Sequence, residues 1–217
     1  MHSKSVFNEI FDDNLIVRRV KNKMPQLFQL AELECSRDGK LGMEIGSARE
    51  RILIALLMYK YGIDIVNSSV KITEPAVDVY VKGEPLSIKT ITTANSKLRG
   101  GIKLIWTVDA QKALEFQKLY MPTCDILLAQ IAWNNTGRLC LFSKESQANI
   151  LNQIGRERYI KLPKAGTNPR GAEISSEALQ LLLESADTRV IEIPFVRTVV
   201  DYREIYTKWL EAWREEY

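Results

Sequence analysis

Histidine is almost missing from this 217-residue chain: the one copy is His2, beside the first residue. That scarcity excludes much hydrolytic chemistry. A Ser-His-Asp triad, an HExxH zinc site and a histidine-based nuclease of the HNH kind all need an imidazole held in the folded body, and terminal residues are commonly mobile. Any hydrolysis must therefore run on carboxylates, lysine and a metal ion. Cysteine is scarce too. Cys35, Cys124 and Cys140 are an odd number and make no CxxC pair, which fits reduced thiols and not a disulfide frame or a zinc site. Neither GxGxxG nor GxxxxGK[ST] occurs, so dinucleotide and Walker-type phosphate sites have no support. The longest apolar run, Ile52 to Met58, falls far short of the roughly 20 residues that cross a bilayer. Glu9, Asp12 and Asp13 stand where an export signal would be apolar. The expectation is a cytoplasmic protein without membrane contact.

What is present suits an ordinary globular protein, with 46% hydrophobic and 26% charged residues and length enough for one domain with a real core. The net charge of +3 permits nucleic-acid binding without demanding it. Distribution says more. Between 151 and 171, Arg156, Arg158, Lys161, Lys164 and Arg170 face Glu157 alone, and Lys97, Arg99 and Lys103 form a second group with no acid between. A solvated loop surface is the plain alternative for both.

Apolar recurrence at Leu27, Leu30, Ala31 and Leu33 predicts helix in pieces over 5–35. After a glycine-punctuated turn, Ser47 and Glu50 read as a capping box opening a helix that ends at Gly62. Its second half is apolar nearly all round, which predicts a helix covered on both flanks. Strands are expected over 63–72, 76–82, 86–92 and 102–108. A helix from Asp109 to Tyr120, a strand "CDILLAQIAW", a turn "NNTG" and a strand "RLCLFS" follow. Helices near 143–154 and 175–185, a strand "RVIEIPFV" and a final amphipathic helix complete the chain. In that last helix Ile205, Trp209, Ala212 and Trp213 share one side, as core or dimer packing would require. The order of elements indicates an α/β (α+β) fold with a central mixed sheet flanked by helices.

The stretch "VDVYVKGEPLSIKT" carries the chemistry. "KGEP" is a tight-turn signature. A hairpin centred between Gly83 and Glu84 sets Asp78 opposite Lys89 and Tyr80 opposite Ser87. Strand alternation then puts these four on one face and Val77, Val79, Val81, Leu86 and Ile88 on the other. A cross-strand ion pair alone would contribute about 0.2–1 kcal/mol. A carboxylate and an ammonium converging beside a phosphate have a further use, since the first can bind Mg²⁺ and the second can stabilise charge or act on water.

These residues resemble the signature of the PD-(D/E)XK nucleases, with Asp78 as the motif aspartate and Lys89 as the lysine. Ser87 stands where that family usually has Glu or Asp, and Val77 where it has proline, so the pattern is similar to the S-x-K version found in a minority of type II restriction endonucleases. The helix "GSARERILIALLMYKYG" looks like the first core helix, which often bears a metal-linked glutamate. Glu50 is the first choice for that role and Glu44 the alternative.

The resemblance implies a restriction-endonuclease-like core over about 44–132 of a single nuclease domain. Residues 1–43 would be a helical extension and 133–217 recognition and packing elements. It implies Mg²⁺-dependent cleavage of double-stranded DNA at a short palindrome, with a G/C-rich site included in the expectation, to 5′-phosphate and 3′-hydroxyl ends. Asp78, Glu50 and the Ile88 carbonyl would hold the metal, Lys89 would act on the attacking water, and Ser87 could hydrogen-bond a metal-bound water. Lys97, Arg99, Lys103, Arg156 and Arg158 are candidate DNA contacts, and Asn168 and Arg170 carry amide and guanidinium groups suited to adenine and guanine edges. A homodimer would suit a palindromic target. A repair or RNA-directed nuclease on the same core, or a non-catalytic DNA-binding module, remain the alternatives.

Overall fold

The computed structural model describes residues 5–37, 40–42, 44–70, 76–98, 101–163 and 171–214. A 3-10 turn leads into α1 (Glu9–Asp12) and the long α2 (Asn14–Glu34). Asp13 caps α2 by accepting from the amides of Leu15 and Ile16, which have no helical partner of their own. Strands β1 (Ser36–Arg37) and β2 (Lys40–Leu41) precede α3 (Ile45–Tyr61). Then come β3 (Val66–Asn67), β4 (Val79–Val81), β5 (Glu84–Thr92), β6 (Ile102–Ile105), α4 (Ala110–Leu119), β7 (Asp125–Ile131) and β8 (Asn135–Phe142). The C-terminal part holds α5 (Lys144–Ile154), α6 (Arg156–Tyr159), β9 (Ile160–Lys161), β10 (Ala172–Ile174), α7 (Ser176–Glu184), β11 (Arg189–Phe195), a 3-10 turn (Tyr202–Tyr206) and α8 (Thr207–Arg214).

The main sheet has the order β11-β8-β7-β5-β4-β3, with β5 and β7 parallel and the other neighbours antiparallel. It is therefore mixed and flanked by helices, as its sequence predicts. A parallel pair cannot close through a tight turn, and the connection from β5 to β7 carries β6 and α4. Both faces of β7 are covered, which explains its continuous apolar run. Leu127, Ala129 and Ile131 join Phe28 of α2 and Leu53 and Leu57 of α3 in one core. Ile126 and Leu128 join Leu151 of α5, Tyr159 of α6 and Leu179 and Leu182 of α7 in another. The polar residue inside that run, the fully buried Gln130, donates to Thr93 Oγ1 and the Ser96 carbonyl, and Arg138 also donates to Ser96 O, pinning the loop that carries Lys97.

Several expectations need correction. Helix α3 starts at Ile45, so Ser47 and Glu50 lie inside it and form no capping box; the N-cap is Glu44. Its flanks are not both closed: Ala55 is exposed and Tyr59 is 54% exposed. The strand expected over 63–72 shrinks to Val66–Asn67 among the described residues. The segment expected to extend over 102–108 leaves the main sheet and forms a second sheet of order β6-β10-β9. Trp213 is 86% exposed, so it is not core; the side chain of Trp209 lies outside what is described.

The second sheet depends on a glycine. Gly171 has φ +92°, and a Cβ there would stand 1.8 Å from the carbonyl oxygen of Ile105. Gly171→Ala should force β10 away from β6 and cost about 1–3 kcal/mol or more, as overpacking does. Thermal melting checks this; an unchanged midpoint would mean the strands re-seat freely.

Candidate active site

The β4–β5 turn is centred between Lys82 and Gly83, one residue earlier than the sequence suggests. Lys82 and Gly83 both have positive φ, at 52° and 82°, the conformation of a two-residue type I′ hairpin. The register pairs Val79 with Leu86 and Val81 with Glu84, two residues away from the expected one. Asp78 lies just beyond the paired residues, donates its amide to Leu86 O, and brings its carboxylate to Ser87 and Lys89. A slip of two preserves side-chain parity, so the expected faces survive. Val79, Val81, Leu86 and Ile88 are buried in the core beneath α2 and α3.

Asp78 Oδ2 accepts three hydrogen bonds: from the Ile88 amide at 2.6 Å, Ser87 Oγ at 3.1 Å and Lys89 Nζ at 3.1 Å. Among the described residues Oδ1 carries none. Ser87 is 4% exposed, and its hydroxyl is given to the Asp78 carboxylate, an arrangement that holds that carboxylate in place. The main-chain and hydroxyl donors come from the next strand, which is why the turn geometry matters.

Glu50 reaches the same place from the first half of α3. Asp78, Glu50, Ile88 and Lys89 line one cavity of about 920 Å³, with Thr90, Lys103, Trp106, Lys112 and Glu173 also in its wall. Burial pushes the Glu50 carboxyl above its usual range; the Asp78 charge pushes the same way, and Lys89 opposes. Because the proton is bound more tightly in the folded state, ionising Glu50 costs stability as pH rises through its raised pKa. Glu50→Gln should therefore raise the melting temperature of the metal-free protein near pH 8 and leave it nearly unchanged near pH 4. Equal shifts at both values would refute that origin.

Two carboxylates on one cavity, one with an oxygen not yet bonded, form a donor set that fits a hard divalent cation. Among the described residues no three His, Cys, Asp or Glu side chains converge on one point, so the remaining ligands would be main-chain carbonyl oxygen and water. Glu44 is exposed at the N-cap of α3 and does not line the cavity. On the far side of Lys89 an apolar cavity of about 300 Å³, lined by Ser87, Phe116, Tyr120, Cys124 and Ile126, gives the lysine a hydrophobic flank.

The basic candidates divide. Lys103 is in the cavity wall. Lys97 is exposed on the pinned loop but does not line the cavity. Arg156 donates to the Tyr120 carbonyl at 3.0 Å, and Arg158 is ion-paired with Glu177, so both are engaged elsewhere. Arg99, Asn168 and Arg170 lie outside the described residues, as do Lys164 and His2.

One buried network had no clear sign in the sequence. Arg49, 4% exposed, meets Glu32 at 2.5 Å and donates to Thr92 Oγ1 at 3.0 Å; Glu32 also accepts from Trp133 Nε1 and Arg197, each at 2.7 Å. It fastens α3 to α2 and to the end of β5 one residue before Glu50. Its only trace in the sequence is a charged residue beside Glu50 on a helix that must bury a face.

Among the described residues no helix is long and apolar enough to cross a membrane. No curated protein matches the chain. A solved structure described as a restriction endonuclease in complex with substrate DNA is similar over 95% of this chain and 98% of its own, with 46% identity and a TM-score of 0.86. Restriction endonucleases generally use divalent metal ions, which agrees with the donor set above. The family model for restriction endonuclease ThaI matches residues 10–215. With that match over nearly its whole length, the chain belongs to the ThaI restriction endonuclease family and is a site-specific endodeoxyribonuclease.

Proposed function

We propose that the chain is a type II enzyme that uses Mg²⁺ to hydrolyse phosphodiester bonds of double-stranded DNA at a short palindrome, with G/C-rich sequence as the expected target. The observation that carries this reading is the convergence of Asp78, Glu50 and Lys89 on one cavity. Asp78, Glu50 and the Ile88 carbonyl would hold the ion. When bound, Mg²⁺ supplies Lewis acidity and a nucleophile at neutral pH. Ser87 and the Ile88 amide fix the Asp78 carboxylate, and Lys89 acts on the attacking water and on charge developing at phosphorus. Glu44, exposed at the head of α3, is the weaker candidate for the metal.

In this reading Lys97 and Lys103 contact the DNA backbone, and Arg99, Asn168 and Arg170 are further candidate contacts; Arg156 and Arg158 would have to give up the Tyr120 carbonyl and Glu177 to join them. Among the described residues one Asp78–Lys89 pair is present per chain. Cutting two strands with two copies related by a two-fold axis calls for a two-fold sequence, which supports a homodimer and a palindrome together. The whole chain serves as one nuclease domain, with 44–132 bearing the chemistry. A role in cleaving duplex DNA inside the cell would suit a cytoplasmic location.

A time course on supercoiled plasmid with Mg²⁺, with EDTA, and with Lys89→Ala tests the proposal. Discrete bands should require both Mg²⁺ and Lys89, and the variant should be slower by about 10²–10⁴-fold. A smear would retain the nuclease and remove the type II role. Cleavage that survives EDTA would refute the metal assignment.

A further inference from the structure

The second sheet sets three charges in a row. Glu173 on the central strand β10 is the register partner of Lys103 on β6 and of Lys161 on β9. Opposed residues on antiparallel strands share a face, and here one carboxylate is divided between two ammoniums. Lys103 Nζ lies 3.3 Å from Oε1, and Lys161 Nζ lies 3.7 Å from Oε2. Gly101 leaves room for the arrangement, since a Cβ there would stand 2.5 Å from Glu173 Oε2. The Lys103 ammonium is also held 4.4 Å from the ring centroid of Trp106. Lys103, Trp106 and Glu173 belong to the wall of the cavity that contains Asp78, Glu50 and Lys89.

Both separations exceed the roughly 2.7–2.9 Å of a tight charge-assisted bond. The side chains remain partly open to solvent, at 30% for Lys103, 24% for Glu173 and 55% for Lys161. Loose, solvated pairs of this kind are weak and exchange readily. A phosphodiester oxygen presents the same chemistry to an ammonium as a carboxylate oxygen does.

We propose that Glu173 is a positioning residue that occupies the place of a DNA phosphate between Lys103 and Lys161 and yields both lysines to the backbone of bound duplex. This rests on the duplex-DNA reading above and adds Lys161 and Glu173 to it. Until duplex arrives, the carboxylate keeps both ammoniums paired and weakens the attraction of this surface for DNA in general. The salt dependence of binding follows. Each phosphate neutralised by lysine releases a condensed cation, but the freed Glu173 takes one up, so the two lysines count as one in the net release.

The experiment measures duplex affinity by fluorescence anisotropy in EDTA, over a range of salt, for wild type, Glu173→Gln, Lys103→Gln/Lys161→Gln and the triple variant. Glu173→Gln should steepen the log–log slope by about 0.9 and tighten binding to duplex of unrelated sequence, with an unchanged melting temperature. That steepening should vanish in the background lacking both lysines. If it persists there, the effect is one of net charge and the proposal is overturned. A steep wild-type slope that Glu173→Gln leaves unaltered overturns the role of Glu173 alone. A wild-type protein with no salt-dependent duplex binding overturns the DNA reading beneath it as well.

Discussion

Asp78→Asn should cut DNA at least about 10²–10³-fold more slowly than the wild type, the usual scale for removing one charged group aimed at a transition state, while binding duplex with nearly unchanged affinity. The substitution keeps size and shape, so the β4–β5 hairpin persists and the apolar face on Val79, Val81, Leu86 and Ile88 is untouched. What changes is charge. The Oδ2 atom that collects the Ile88 amide, Ser87 and Lys89 becomes a neutral amide group, and Lys89 loses its 3.1 Å counter-charge. The carboxylate oxygen left for a cation is lost as well. Single-turnover cleavage and anisotropy binding, run on one preparation, separate the two functions. Parallel loss of cleavage and binding would mean that Asp78 serves the fold or the DNA contact and not the chemistry.

Arg49→Met should lower stability by about 3 kcal/mol, the low end of the range for breaking a buried ion pair. For a chain of this size that corresponds to a melting temperature lower by about 6–12 °C. The low end applies because Glu32 keeps Arg197 and Trp133 as partners. The loss arises mainly from leaving a carboxylate in a buried site with one counter-charge fewer. Glu32→Gln/Arg49→Met should therefore recover part of it, since no buried charge is then stranded. Calorimetry on the two variants decides: a double variant no more stable than the single would assign the cost to packing. Cleavage should also fall beyond what unfolding explains, because Arg49 ties α3 to Thr92 at the end of the strand that carries Lys89, one residue before Glu50.

Local chemistry made much of this protein legible in its sequence. Absence of histidine in the body, alternation in "VDVYVKGEPLSIK", Gly62 at the end of α3 and the apolar run of β7 each follow from neighbours a few residues apart. They determined the element types, the mixed flanked sheet, and the meeting of Asp78, Ser87 and Lys89 on one face. The hairpin register was missed by two residues because Lys82 accepts a left-handed backbone, which residue type alone does not announce. Parity was right because side chains alternate with period two.

Tertiary structure alone decided the rest. The "IKLI" strand leaves the main sheet because β10, about seventy residues later, offers its edge with Gly171 set against Ile105. Glu173 therefore meets Lys103 and Lys161 through pairings that no local pattern encodes. Glu32, Arg49, Trp133 and Arg197 likewise converge from four distant segments. Sequence fixes which groups a segment can present; which groups share a low-dielectric site, and so which charges are paired, shifted or available to DNA, depends on long-range packing.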